Sequence, residues 1–241
     1  MTVGDIAFDA LTEEEVITHV RAALDRGDGG RIITPNVDIT LRAAEARGFL
    51  DDASLVVADG MPLLWAARLA GTPLPERVAG SSLIWTLSRG AGLDGRSVFL
   101  IGGTPGTAAG PALEAGCPGL VIAGHISPPF GFEHTDFYAE LCARVKEAKP
   151  DIVYVGLGFP KQEHVIDRLR PDLPGAWFVG CGASVQFVAG ELRRAPRWMQ
   201  RSGLEWIHRL LSEPRRLAGR YLMHDLPFAI RLLSSAVRNR A

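Results

Sequence analysis

Between residues 31 and 180 the chain alternates short apolar runs with stretches whose apolar residues recur at helical spacing. The runs predict strands at 31–34, 55–58, 97–101, 120–123, 152–156 and 177–180. The stretches around and between them predict helices at 12–26, 37–47, 62–70, 81–91, 106–115, 135–148 and 161–170. Continuous apolar strands separated by helices belong to a mostly parallel sheet covered on both faces, a Rossmann-like α/β fold. Nearly every strand runs into small or polar residues: Thr34-Pro35-Asn36, Asp59-Gly60, Gly102-Gly103, Gly124-His125, Gly156-Leu157-Gly158 and Gly180-Cys181-Gly182. Ligands of open α/β sheets sit beyond the carboxyl ends of the strands, so these turns are expected on one functional rim.

The pattern changes after Arg194-Ala195-Pro196. No strand follows, and residues 203–212 and about 215–238 read as helices, with a turn expected at Pro214 and a kink or break at Pro227. The expected organisation is a catalytic core over residues 1–195 and a helical appendage over 196–241.

Charge sharpens that division. The net charge is −1, yet residues 193–241 carry eleven arginines against Glu205, Glu213 and Asp225, a balance of +8 that leaves −9 on residues 1–192. The basic side chains (Arg193, Arg194, Arg197, Arg201, Arg209, Arg215, Arg216, Arg220, Arg231, Arg238 and Arg240) are interleaved with Trp198, Trp206, Tyr221, Phe228 and several leucines. That mixture suits a helix lying in an anionic membrane interface, and equally a basic helical pair docked on an acidic core. No apolar run has the roughly 18–20 residues needed to span a bilayer, and the acidic N-terminus does not read as a secretory signal. Cys117, Cys142 and Cys181 are too widely spaced for a metal pair or a disulfide framework, so a reducing cytoplasm is expected.

Five segments carry candidate chemistry. Thr34 and Asn36 lie where a strand meets a helix, placed either to cap that helix or to face a ligand. Asp59 ends an apolar strand; a carboxylate in a partly desolvated cleft can serve as a general base, and one before a helix can also cap it. Arg77 can clamp a diphosphate or pair with its neighbour Glu76. Gly102 and Gly103 make a strand–helix turn that brings backbone N–H groups to a phosphate or merely turns tightly. Gly158 precedes Lys161, Gln162 and Glu163, whose charge and hydrogen-bonding groups suit phosphate, a uracil edge or sugar hydroxyls. His125 and His164 fall near the rim without metal-ligand spacing, there is no DxD pair or GxSxG, and no GxGxxG follows the first strand. No metal and no cofactor are expected.

In order along the chain, TPNVD (34–38), ADGMPLLW (58–65), ERVAGSSL (76–83), FLIGG (99–103), VGLGFPKQE (155–163) and RRAPRWMQRSGLEWIHRLLSEPRRLAGRY (193–221) resemble the WecG/TagA/CpsF glycosyltransferases, glycosyltransferase family twenty-six. The resemblance implies metal-free, inverting transfer of a sugar from a UDP-sugar to a polyprenyl-diphosphate-linked saccharide, in teichoic acid or other cell-surface polysaccharide synthesis. It implies Asp59 as base, Thr34 and Asn36 in the active site, and appendage arginines on the lipid diphosphate, with Arg215, Arg216 and Arg220 matching best. A homo-oligomer in solution, peripheral attachment to the inner face of the cell membrane and no nucleic-acid partner complete the expectation. Where some members read HGYF, this chain has Ser127-Pro128-Pro129-Phe130-Gly131-Phe132, which leaves N-acetylmannosamine, glucose and glucuronic acid open as the donor sugar. The alternatives are a nucleotide-dependent oxidoreductase and a non-catalytic nucleotide-binding membrane adaptor.

Overall fold

The computed structural model describes residues 1–238, so Arg240 lies outside the described residues. The chain opens with an antiparallel hairpin of β1 (Thr2–Val3) and β2 (Ile6–Ala7), too short for its alternation to register in the sequence pattern. Thr12 and Glu15 then close a reciprocal capping box that starts α1 (Glu13–Arg26), and Gly27, at φ +80°, ends it.

From there strands and helices alternate: β3 (Gly30–Ile33), α2 (Val37–Leu41), α3 (Ala43–Asp51), β4 (Leu55–Val56), α4 (Met61–Leu69), α5 (Gly80–Leu93), β5 (Ser97–Gly102), α6 (Ala109–Gly116), β6 (Val121–Ile126), α7 (Phe137–Ala148), β7 (Ile152–Gly156), α8 (Lys161–Leu169), β8 (Trp177–Gly180) and α9 (Ser184–Val188). Six strands form one parallel sheet in the order β4-β3-β8-β7-β5-β6. Val153, Tyr154 and Val155 of β7 are fully buried, as a strand covered on both faces requires, and the expected α/β class is what the chain adopts. One face packs on α1, α5, α6 and α9 around Leu83, Leu100 and Val179; the other packs on α7 and α8 around Val145, Val155 and Ile166. The chain runs outward from β3 to β4, and the rest of the sheet is built on the opposite side of β3. This reversal, between β3 and β8, opens a crevice at the carboxyl ends of the strands.

The strand expected at 120–123 runs Val121–Ile126, so Gly124 and His125 pair with β5 inside the sheet and are not a turn beyond it; three further boundaries differ from the pattern for local reasons. The helix expected at 37–47 divides at Arg42, where Thr40 Oγ1 bonds back to the Asn36 carbonyl at 2.7 Å, a contact that bends helices. The helix expected from 106 starts at Ala109, because Gly106 is left-handed at φ +78°. The helix expected from 203 starts at Glu205 after Gly203, at φ +76°.

The tail contains α10 (Arg197–Arg201), α11 (Glu205–Ser212), α12 (Pro214–Arg220), one widened π-helical turn (Tyr221–Asp225) and α13 (Leu226–Arg238). Pro214 opens α12 as a first-turn residue. Pro227 follows the π turn; without an N–H and with its ring against the preceding turn, it favours the local widening. Ala229, Leu232 and Ala236 of α13 pack with α4 and the N-terminal hairpin, burying Leu63, Ala67 and Ile6 in one apolar cluster.

Candidate active site

The crevice is a cleft of about 870 Å³ whose walls come from both the sheet rim and the tail. Asp59 stands half-buried in it. Backbone bonds fix its position: Val57 N–H donates to Ile33 O at 3.0 Å, Asp59 N–H to Pro35 O at 2.9 Å, and Val78 N–H to Ala58 O at 2.9 Å. The cap position of α4 belongs to Gly60, with no side-chain cap, so Asp59 is not spent on that helix. Burial pushes its carboxyl up to about 6; Arg77 opposes the rise, Glu205 adds to it, and Arg194 and Arg209 pull against it.

Thr34 and Asn36 both line the cleft. Asn36 also caps α2, its Oδ1 accepting the Ile39 N–H at 3.0 Å, so the two roles considered for it coexist. Thr34 Oγ1 donates to Gly180 O at 3.5 Å, linking β3 to β8 at the rim. Arg77 does not pair with Glu76; its Nη1 meets Glu205 Oε2 of α11 at 2.7 Å, and Arg194 Nε lies 3.5 Å from the other oxygen of Glu205. The tail is thereby clamped beside Asp59.

Gly102, Gly103 and Gly158 stand at the strand ends in the cleft wall. At Gly102, at φ +125°, a Cβ would meet Gly156 O at 2.6 Å, so the ends of β5 and β7 can converge only around glycine. Lys161 pairs with Glu133 and lies 5.0 Å from the centre of the Phe130 ring, holding the 127–132 loop at the cleft mouth. Ser127 anchors the base of that loop by donating to Gly102 O and Thr104 O at 3.0 Å, while Phe130 itself is fully exposed.

Gln162 lines the cleft, but its amide is engaged: Oε1 accepts the Gly182 N–H at 3.0 Å and Nε2 donates to Glu163 at 2.9 Å. Two expected binding residues are placed elsewhere. Glu163 is wholly buried on Arg31 and does not line the cleft, because an ion pair inside α8's packing face holds it away. Arg215 is exposed outside the cleft, on a different face of α12 from Arg216 and Arg220, which line it. Arg216 pairs with Glu213 at 2.6 Å; Arg220 lies 3.5 Å from Asp38 and 3.6 Å from Asp225. Burial and the nearby Asp38 push the Asp225 carboxyl up to about 6, against Arg220 and His224.

Glu205, Trp206 and Arg209, which the sequence marks only by their charge and interfacial character, also line the cleft. The signal was present as Glu205, Arg209 and Glu213 at four-residue spacing, one charged face of α11. Arg209 packs its guanidinium 5.8 Å from the centre of the Phe187 ring, and its buried Nε has no partner among the described residues. His125 is a strut, its Nε2 2.8 Å from Gly102 O, and exposed His164 packs edge-on against Phe49. Cys181 lines the cleft with its thiol pushed up to about 12 by burial, so no thiolate is on offer.

This arrangement sets a carboxyl of raised proton affinity in a cleft that several guanidinium groups also line. A family model described as "Glycosyl transferase WecG/TagA/CpsF family" matches residues 1–241. The chain belongs to the WecG/TagA/CpsF family of glycosyltransferases. Membership replaces the oxidoreductase and adaptor readings. Similar proteins include the N-acetylglucosaminyldiphosphoundecaprenol N-acetyl-beta-D-mannosaminyltransferase of Bacillus spizizenii, 31% identical over 210 residues, with 83% of this chain and 78% of that one covered. The Bacillus subtilis protein of the same name is 30% identical over 202 residues, covering 80% and 75%. The one from Staphylococcus aureus strain MRSA252 is 31% identical over 220 residues, covering 88% and 84%. As a WecG/TagA/CpsF glycosyltransferase the protein needs a site for a sugar donor and an acceptor, and the cleft is the candidate for it.

Proposed function

We propose that this glycosyltransferase moves a sugar from a UDP-sugar to a polyprenyl-diphosphate-linked saccharide, with inversion, in teichoic acid or other cell-surface polysaccharide synthesis. The relatives' names put N-acetylmannosamine first among the candidate donor sugars and an N-acetylglucosaminyl-diphospholipid first among the acceptors. The observation that carries the reading is Asp59, a half-buried carboxylate of raised proton affinity in a cleft walled by Arg77, Arg209, Arg216 and Arg220. In this reading Asp59 removes the proton as the acceptor hydroxyl oxygen bonds to the anomeric carbon, and the bond from that carbon to UDP breaks on the opposite face. The charge left on UDP falls to guanidinium and backbone N–H groups, without metal. Thr34 and Asn36 orient the reacting groups, and Gly102, Gly103, Gly158 and Lys161 border the donor diphosphate. Arg216 and Arg220 face the acceptor diphosphate.

We further read residues 1–195 as the catalytic core and 196–241 as an appendage that works at the inner membrane face, with a homo-oligomer away from it. No helix among the described residues is long and apolar enough to cross a membrane. The exposed side chains of Met223, Leu226, Ile230 and Val237 support contact with a leaflet surface.

The test is UDP release from UDP-N-acetylmannosamine, UDP-glucose and UDP-glucuronic acid, with and without a short-chain diphospholipid-linked N-acetylglucosamine, in EDTA. Acceptor-dependent release from one donor is the expected result. Release from none of them by folded protein counts against this donor and acceptor class.

A further inference from the structure

Glu163 has no task in the reaction just described, yet it is buried at a cost. Both its side chain and that of Arg31 are wholly inaccessible, with Arg31 Nη2 3.2 Å from Glu163 Oε2. Removing two charges from water is unfavourable unless their remaining hydrogen-bonding groups are also placed. All but Arg31 Nε, which is buried without a partner among the described residues, are placed here in a chain that leads to the cleft. On the far side, Arg31 Nη1 lies 3.1 Å from Asp52 and 2.8 Å from Asp167. On the near side, Glu163 Oε1 accepts from Gln162 Nε2 at 2.9 Å, and Gln162 Oε1 accepts the Gly182 N–H at 3.0 Å. Gly182, at φ +54°, belongs to the turn after β8 that forms a wall of the cleft.

We infer that Glu163 is a positioning residue: it fixes the orientation of the Gln162 amide and thereby holds the Gly182 turn in its cleft-forming shape. The logic is one of donors and acceptors. A carboxylate only accepts, and a backbone N–H only donates. An amide placed between the two satisfies both in a single orientation, NH2 toward Glu163 and oxygen toward Gly182. The space for this arrangement is cut in the sheet: a Cβ on Gly180 would meet Gln162 Nε2 at 2.5 Å and Glu163 Oε1 at 2.7 Å. Thr34, whose hydroxyl reaches Gly180 O, sits against the same strand end.

The inference rests on the reading that the cleft takes a nucleotide-sugar donor, and its test separates the two. Glu163→Gln keeps size and removes the constraint, because the new amide can donate to Gln162 and let it turn over. Arg31 keeps Asp52 and Asp167 as counter-charges in that variant. Asp167→Asn is the control: it weakens the surroundings of Arg31 without touching the amide contact. Two quantities are read on the full chain, amide hydrogen exchange at Gly182 by NMR and the Kd for UDP by calorimetry. For Glu163→Gln, exchange at Gly182 is expected to quicken and UDP to bind more weakly, each by about tenfold. For Asp167→Asn both stay within about twofold of the parent even where its Tm falls. Unchanged protection of Gly182 in Glu163→Gln, or equal losses in the two variants, overturns the inference. If the parent itself binds no UDP, the donor reading fails, and exchange at Gly182 alone decides the positioning contact.

Discussion

The residue that most directly links environment to chemistry is Asp59. Its carboxyl ordinarily titrates near 3.8 and in the folded chain near 6, with burial the largest cause. A base works in its ionised form, so turnover should fall on the acid side of about pH 6, to about a tenth of its plateau at pH 5. Asp59→Asn should lose turnover by about 10²–10⁴-fold across the whole range while keeping the fold. A variant of full activity would remove Asp59 from the mechanism. Stability supplies an independent check with a definite sign. A folded-state value above the unfolded one means that the folded protein binds the proton more tightly. The associated stability is therefore complete below pH 3.8 and is lost as pH rises through about 6. Asp59→Asn removes that loss and should unfold with roughly 1–3 kcal/mol more resistance than the parent at pH 8, with the gain absent at pH 4. Urea melts at the two pH values measure it. An Asn variant that is less stable at pH 8 would mean that the carboxylate is held by favourable contacts and not merely buried.

At the scale of elements, the connection between α10 and α11 decides whether the tail covers the cleft. Gly203 turns there at φ +76° with its Cα tight against α4; a Cβ would lie 2.8 Å from the Trp65 ring and 2.9 Å from Met61 Cβ. Gly203→Ala combines a disfavoured backbone with a clash against packed side chains, and should destabilise tail docking by roughly 1–3 kcal/mol. Gly219, in the last turn of α12 with open space around it, is the matched control; its Ala variant should be neutral or about 0.5–1 kcal/mol more stable. Limited proteolysis between 193 and 204 and the melting temperature read both variants. Equal protease resistance in Gly203→Ala and the parent would count against this turn as the tail's fixing point. The same elements show what was legible in the chain. The sheet strands were, because a doubly covered parallel strand must be an unbroken apolar run, as Ile152–Gly156 is. Asp59, Gly102 and Gly158 were, because a strand end marks the rim. The pairing of Arg77 with Glu205 spans 128 residues, and no local pattern encodes it. Glu163 followed the polar first turn expected of a binding helix, but the packing of α8 on β7 and β8 turned it inward to Arg31. The hairpin at the N-terminus and α10 were hidden by brevity, since two and five residues carry too little periodicity to distinguish.

At the scale of the whole molecule, positive charge is concentrated in the tail, and exposed apolar side chains lie among it. Residues 1–192 carry −9 and residues 193–241 carry +8, so an anionic surface would repel the first and attract the second. On the last helix basic and apolar side chains are adjacent: Leu226, Ile230 and Val237, preceded by Met223, form an exposed apolar stripe, with exposed Arg231 and Arg238 beside it, while Ala229, Leu232 and Ala236 face the core. Helical spacing therefore gives α13 one face for the protein and a neighbouring one for an interface. Electrostatic attraction alone would be screened within about 8 Å at physiological ionic strength, whereas inserted apolar side chains are not screened. The two contributions can be separated with vesicles. Binding to vesicles of about 30% anionic lipid should weaken more than about tenfold between about 0.1 and 0.5 M NaCl, and neutral vesicles should bind little. Met223→Glu with Ile230→Glu should abolish vesicle binding even at low salt, since carboxylates replace two of the stripe's four side chains. Because neither side chain lines the cleft, UDP binding in solution should be unchanged in that double variant. Vesicle binding that survives the double substitution would locate the contact elsewhere on the tail, and loss of UDP binding with it would show that the stripe belongs to the cleft's own packing. A variant that keeps nucleotide affinity, loses the vesicles and turns over only acceptors in solution would assign the stripe to delivery of the lipid-linked substrate.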